Sequence, residues 1–309
     1  MVREEIKKKH HYLPSFYLKG FTKLDSNCLW VYEKDSLNVR PSSPENEGCQ
    51  RFYHTFVTHE GNRDTNSIED YFGKIETKTG LILADIHRRQ KLTEQDRKEL
   101  ALFISFMLTR VPLFRNEIEK MAAEHIDHVG LDTAISDFKI SIDTMGDALG
   151  IKPNISENEL TKLPSRRGSV FSLAQIFHVA FDFYPKFLNL QWRFLFSSQD
   201  YKYVTSDNPL YFYSASASGA LPRDDFLKED IEITLPLSKE VALMAKRYNI
   251  QDGYGDAQVQ TIKNINKRTV LCAKSNIYSA IKSDSFHNLV KKTKNNSPYM
   301  VMFKKGAIS

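Results

Sequence analysis

The 309-residue chain has only three cysteines, Cys28, Cys49 and Cys272, which stand far apart and are odd in number. They form no CxxC pair, which argues against a dithiol redox motif or a cysteine zinc site, and they read as free thiols of a reducing cytosol. No apolar run reaches the roughly 18 residues that a membrane span needs. The N-terminus carries Arg3, Glu4, Glu5, Lys7, Lys8 and Lys9 in place of the apolar stretch of a secretory signal. A cytoplasmic protein with no membrane partner is therefore expected. Neither GxGxxG nor GxxxxGKS/T occurs, so an enzyme on a small nucleotide or NAD finds no phosphate loop. An HExxH zinc helix, a serine nucleophile elbow and a Cys–His signature are missing too.

What is present is ordinary for a packed domain: 41% hydrophobic and 26% charged residues, with aromatics at 12% favouring a core over disorder. The net charge of +5 is unevenly spread. From Gln258 onward the only acidic side chain is Asp284, against Lys263, Lys267, Arg268, Lys274, Lys282 and five later lysines. Such a surface can neutralise phosphates, and equally can be a solvated lysine face. Lys263, Lys267 and Arg268 are the candidate grip on a nucleic acid.

The opening stretch, His10 to Phe21, carries two histidines, a proline and four aromatics. That is too much apolar surface to leave in water, so a buried anchor is expected, with His11 a satisfied imidazole or a site residue. Leu29–Lys34 reads as a strand, and Asp25-Ser26-Asn27 ahead of it as a turn that could close a hairpin with the Phe21 end. Arg51–Phe56 reads as a second short strand. Ser67 caps a helix whose apolar face is Ile68, Tyr71, Phe72, Ile75, Ile82 and Ile86. Glu69 and Glu76 lie near one another on it, and Glu76 borders the apolar stripe, where a carboxylate needs a cation. A second helix starts at Thr93 and is kinked at Pro112. Arg110, among apolar neighbours, suits a buried carboxylate such as Glu76 or a phosphate, with Arg115 one turn on.

His125 and His128 lack a third ligand and read as a helix end. Along 169–196, Gln175, His178, Asp182, Asn189 and Arg193 share one helical face. It is a solvent stripe, or, if it faces a cleft, His178 with Asp182 is a base and its orienter. Ser206-Asp207-Asn208-Pro209 is a turn at a strand end. Ile231–Leu237 and Val241–Lys246 form an antiparallel hairpin, 256–274 returns to helix, and Asn276–Ser279 and Tyr299–Phe303 are late strands. The expected fold is α+β. Helices near 67–88, 93–128 and 169–196 make a central core, packed with an antiparallel sheet built from N-terminal and C-terminal strands. The chain 1–309 reads as a single domain with a candidate subdomain boundary at 150–168.

Residues 11–21 fit a His-Tyr-x-Pro-x-Phe-x-Leu-x-x-Phe opening that resembles a bacterial domain-of-unknown-function family. Phe52-Tyr53, Ile75-Glu76, Arg110-Val111-Pro112 with Arg115, Trp192, Thr205 to Pro209, Leu235-Pro236-Leu237-Ser238, Asn266 and Ile277-Tyr278-Ser279 continue the resemblance in order. Val111 departs from it, since a small polar residue is more usual there. The resemblance implies a cytosolic α+β protein without an assigned reaction. It also implies His11, Glu76, Arg110, Asp207 and Asn208 as polar motif positions. One imidazole and two carboxylates, His11, Glu76 and Asp207, can hold a divalent cation such as Mg or Mn, and Arg110 can steady a phosphate. The leading expectation is a metal-dependent phosphodiesterase or nuclease, a candidate toxin or antiphage effector. The other is a non-catalytic nucleic-acid or anion-binding protein in which these residues form a buried structural network. Oligomeric state is not legible in the sequence.

Overall fold

A computed structural model describes residues 6–23, 26–58, 60–150, 170–214 and 229–296. In chain order the elements begin with β1 (Lys9–His11), α1 (Ser15–Lys19), β2 (Leu29–Glu33), β3 (Val39–Ser42), β4 (Cys49–Arg51), β5 (Phe56–Val57) and β6 (Arg63–Asp64). Helices α2 (Ser67–His87), α3 (Glu94–Thr109), α4 (Pro112–Val129), α5 (Leu131–Leu149) and α6 (Val170–Leu188) follow. The chain continues with β7 (Gln191–Phe196), β8 (Thr205–Ser206), β9 (Tyr211–Tyr213), β10 (Glu232–Pro236), β11 (Val241–Lys246) and β12 (Gly253–Asp256). It closes with α7 (Val259–Cys272), β13 (Asn276–Ser279) and α8 (Asp284–Thr293). The fold is α+β.

Two compact units share these elements, and both are discontinuous in sequence. The first holds residues 1–12, 49–79 and 98–185; the second holds 13–48, 80–97 and 186–309. The connection 151–168 lies outside the described residues, as does the expected strand Tyr299–Phe303.

In the first unit β1 pairs with β4, and β5 with β6, both antiparallel. Its core is aromatic. Phe72 of α2 stacks on Phe177 of α6 at 6.0 Å, and Phe106 of α3 meets both edge-on at 5.1 and 5.4 Å. Rings in such geometry add about 0.5–1.5 kcal/mol per pair beyond burial.

The second unit holds a five-stranded sheet, β12-β7-β11-β10-β9, and a four-stranded sheet, β3-β2-β13-β8. The smaller sheet joins N-terminal and C-terminal strands, as the sequence implies. All its pairs are antiparallel; in the larger sheet β12 runs parallel to β7. The anchor reading of the opening stretch holds for Leu13, Tyr17, Leu18 and Phe21, all fully buried. The Tyr17 hydroxyl donates to the Pro236 carbonyl at 2.7 Å and meets Thr205 Oγ1 at 2.6 Å. Gly48 has φ +61°, and a Cβ there would lie 2.7 Å from Leu13 Cβ, so only glycine fits beside the incoming chain.

Four local expectations are corrected. Pro112 does not kink one helix; α3 ends at Thr109 and Pro112 opens α4, where its missing N–H is harmless. Residues 191–196 are strand β7, so Asn189 and Arg193 leave the helical stripe. Trp192 and Phe194 alternate inward there, and Trp192 Nε1 donates to the Phe187 carbonyl. Arg51–Phe56 is not one strand, because Phe52 at φ +55° turns the chain. Finally, β2 pairs with β3 and β13, not with the Phe21 end.

Candidate active site

The ladder of β1 with β4 decides which of the adjacent histidines points inward. Side chains alternate along a strand, and His10 is fully buried while His11 is partly exposed. His10 Nε2–H donates to the Lys7 carbonyl at 2.9 Å, and its Nδ1 accepts the backbone N–H of His54 at 2.8 Å. Both ring nitrogens are thereby used, and the tautomer is set.

The turn at Phe52 brings His54 under that ring; the two imidazoles stack at 5.8 Å and 15°. Asp64 then starts α2, its Oδ1 accepting the N–H groups of Asn66 and Ser67. Ser67 does not act as the cap: it is the first residue of α2 and donates its hydroxyl to Asp64 Oδ2. Glu69 stands in the first turn, where the helix dipole favours an acid. Its Oε1 lies 2.5 Å from His54 Nδ1, and the backbone N–H of His11 reaches the same carboxylate. His54 Nε2, on the far side of the ring, is buried and has no hydrogen-bond partner among the described residues.

Three more buried polar atoms of the same unit, Thr55 Oγ1, Thr58 Oγ1 and Arg110 Nε, also lack partners among the described residues. Tyr53 is ring-to-ring with His54 at 4.8 Å. Phe72 lies 5.2 Å from the His54 ring and 5.1 Å from the Arg110 guanidinium, so it packs against both. Buried groups without partners are rare in folded proteins, and a cluster of them asks for an explanation in function or bound ligand.

Burial, reinforced by Arg115, His10, Arg110 and His11, holds the His54 imidazole well below its ordinary 6.5. Burial pushes the Glu69 carboxyl above its ordinary 4.5, against the pull of His10 and Arg110. Burial likewise raises the Tyr53 phenol, which Arg115 draws back. The imidazole therefore stays unprotonated at neutral pH. With the shared proton on Nδ1, the free Nε2 is a base.

Of the residues singled out in the sequence, Arg110 and Glu76 do meet, Nη1 to Oε1 at 2.9 Å, with Arg110 1% exposed. Arg115 is committed to the protein, donating to the Tyr53 carbonyl and to Ser172 Oγ. In the second unit Asp207 accepts three backbone N–H groups: Lys274 on Oδ1, Ser275 and Asn276 on Oδ2. Asn208 Nδ2 donates to the Cys272 carbonyl and sulfur. Together they clamp the turn between α7 and β13. Lys263 and Lys267 are exposed on α7, whereas Arg268 pairs with Glu232 and lies over Tyr213.

His10, His54 and Glu69 offer ligand atoms within 4.8 Å of one another. Ligation by His10 would break its bond to either the His54 N–H or the Lys7 carbonyl, so the set suits proton transfer better than a cation. Neither His54 nor the role of Glu69 is legible from sequence. The first sits in a turn that reads as strand, and the second in an ordinary acidic first turn. Strand alternation from β1 is the one signal that separates His10 from His11.

Fold and site together define an α+β protein with a buried histidine–carboxylate pair beside two arginines. Residues 9–283 match the family model described as "Protein of unknown function (DUF4238)", and the chain belongs to that family. Neither curated proteins nor solved structures yield a match.

Proposed function

We propose that the chain is a phosphodiesterase acting on nucleic acid, with the His54–Glu69 pair as its proton-handling centre. The observation that carries the reading is the buried His54 Nε2, without a partner among the described residues while Nδ1 is held by Glu69. That is the layout of a general base with its orienter. His54 takes the proton of the attacking hydroxyl or water. Arg110, permanently charged and with an Nε–H that has no partner among the described residues, stabilises the phosphoryl oxygens.

A second reading has its own support. Asp207, Asn208 and Arg115 spend their hydrogen bonds on the protein itself, as a structural network in a non-catalytic binding protein would. The two readings separate in one experiment. Labelled RNA and DNA are incubated with wild type, His54→Asn and Glu69→Gln, in EDTA and in added Mg or Mn. The proposal expects cleavage that survives EDTA and falls about 10²-fold or more in His54→Asn. Cleavage only with added cation would overturn metal-free proton transfer at His54. No cleavage, or equal cleavage in every variant, leaves the binding reading.

A further inference from the structure

The α7 helix carries a cationic face that neither the histidine pair nor the fold requires. Its fourteen residues include no aspartate or glutamate. Ile262, Ile265, Asn266, Thr269 and Val270 are buried, and Gln260, Lys263, Asn264 and Lys267 face solvent. Lys263 and Lys267 are four apart, so they project from one side about 6 Å from each other.

Exposed aromatic rings stand against two cations of this helix, Lys263 and Arg268. Lys263 Nζ lies 4.9 Å from the ring of Tyr201, which is 40% exposed. The Arg268 guanidinium lies 4.3 Å from the ring of Tyr213, which is 36% exposed. The placement of Tyr201 is built in. Asn266 accepts the Val204 N–H through Oδ1 and donates to the Lys202 carbonyl through Nδ2, so the segment after Tyr201 is fastened to α7. The adjoining acid, Glu232, is neutralised by Arg268 and Lys246.

We infer that this edge of α7 binds single-stranded nucleic acid: Lys263 and Lys267 contact successive phosphates, and Tyr201 and Tyr213 stack unpaired bases. Cations alternating with exposed rings are the elements of a sequence-tolerant single-strand platform. A duplex keeps its bases stacked on one another and can use only the lysines. Arg268 is a positioning residue, since Glu232 holds its guanidinium against the Tyr213 ring. The inference rests on nucleic acid being the polymer acted upon and names its strandedness. It does not need the histidine chemistry.

The test is fluorescence anisotropy with labelled oligo(dT), oligo(U) and a hairpin duplex, on full-length protein bearing His54→Asn so that cleavage cannot intervene. Binding to both single strands should exceed binding to the duplex. Lys263→Glu with Lys267→Glu should weaken it at least tenfold and reduce the salt slope by about 0.7 per lost phosphate contact. Tyr201→Ala should weaken single-strand binding about tenfold and leave duplex binding unchanged. Circular dichroism confirms that both surface variants fold. Equal affinity for duplex and single strand, unchanged affinity in the lysine variant, or no binding at all would overturn the inference. Loss of cleavage in His54→Asn with binding intact would bear only on the catalytic reading.

Discussion

His54 and Glu69 share a 2.5 Å contact that leaves the other imidazole nitrogen buried, without a partner among the described residues. The carboxylate orients the ring, and His10 fixes the backbone that carries it, by accepting the His54 N–H. Burial keeps the imidazole neutral.

That neutrality makes stability depend on pH. His54 is held below 6.5 when folded and returns to about 6.5 when unfolded. As pH falls through that value the unfolded chain takes up a proton that the folded chain refuses. Stability is therefore full above about 6.5 and lost below it. Glu69, raised above 4.5 when folded, acts in the opposite sense as pH falls further. The melting temperature of wild type and of Glu69→Gln should fall on acidification from about pH 7.5 to 5.5, and that of His54→Asn should fall much less. Parallel profiles in all three would contradict the assignment.

The Arg110–Glu76 pair should behave asymmetrically. Arg110 is the buried member and Glu76 the partly exposed one. Glu76→Ala strands a buried cation and should cost about 3 kcal/mol in urea denaturation, since breaking such a pair leaves its partner uncompensated. Glu76→Ala combined with Arg110→Met should recover part of that loss. An additive loss would sink the pairing.

Asp207→Ala should lower stability by about 3 kcal/mol, because three backbone N–H groups lose their acceptor at once. Mg or Mn should leave the melting temperature of wild type unchanged if these donors hold the carboxylate. A rise that vanishes in Asp207→Ala would instead put a cation there.

Gly48→Ala should cost about 1–3 kcal/mol, by forcing a Cβ into Leu13 at a positive φ. Gly61 also has positive φ, but nothing lies within 4 Å of its added Cβ. Gly61→Ala should therefore cost less, by thermal melting of both variants.

Much of this architecture is written locally. The period of Ile68, Phe72 and Ile75 marks α2, and the short link through Ser238-Lys239-Glu240 dictates the β10–β11 hairpin, whose Pro236 faces Ala242. Arg110 beside Glu76 was likewise readable, because a charge on an apolar stripe must find its opposite. Residues 191–196 misled because bulky alternating residues serve a helix end or a strand equally, and the sheet partners β11 and β12 decide between them.

The sequence by itself determined the elements whose causes are local: hydrophobic period, tight turns, and the acid-free basic face of α7. Only the tertiary structure decided which of two adjacent histidines is buried and that His54 meets Glu69. It alone revealed that Asp207 spends its charge on a turn 67 residues away. These are encounters between distant segments. They depend on strand register and on which polar groups are left over after packing, neither of which any single stretch of chain contains.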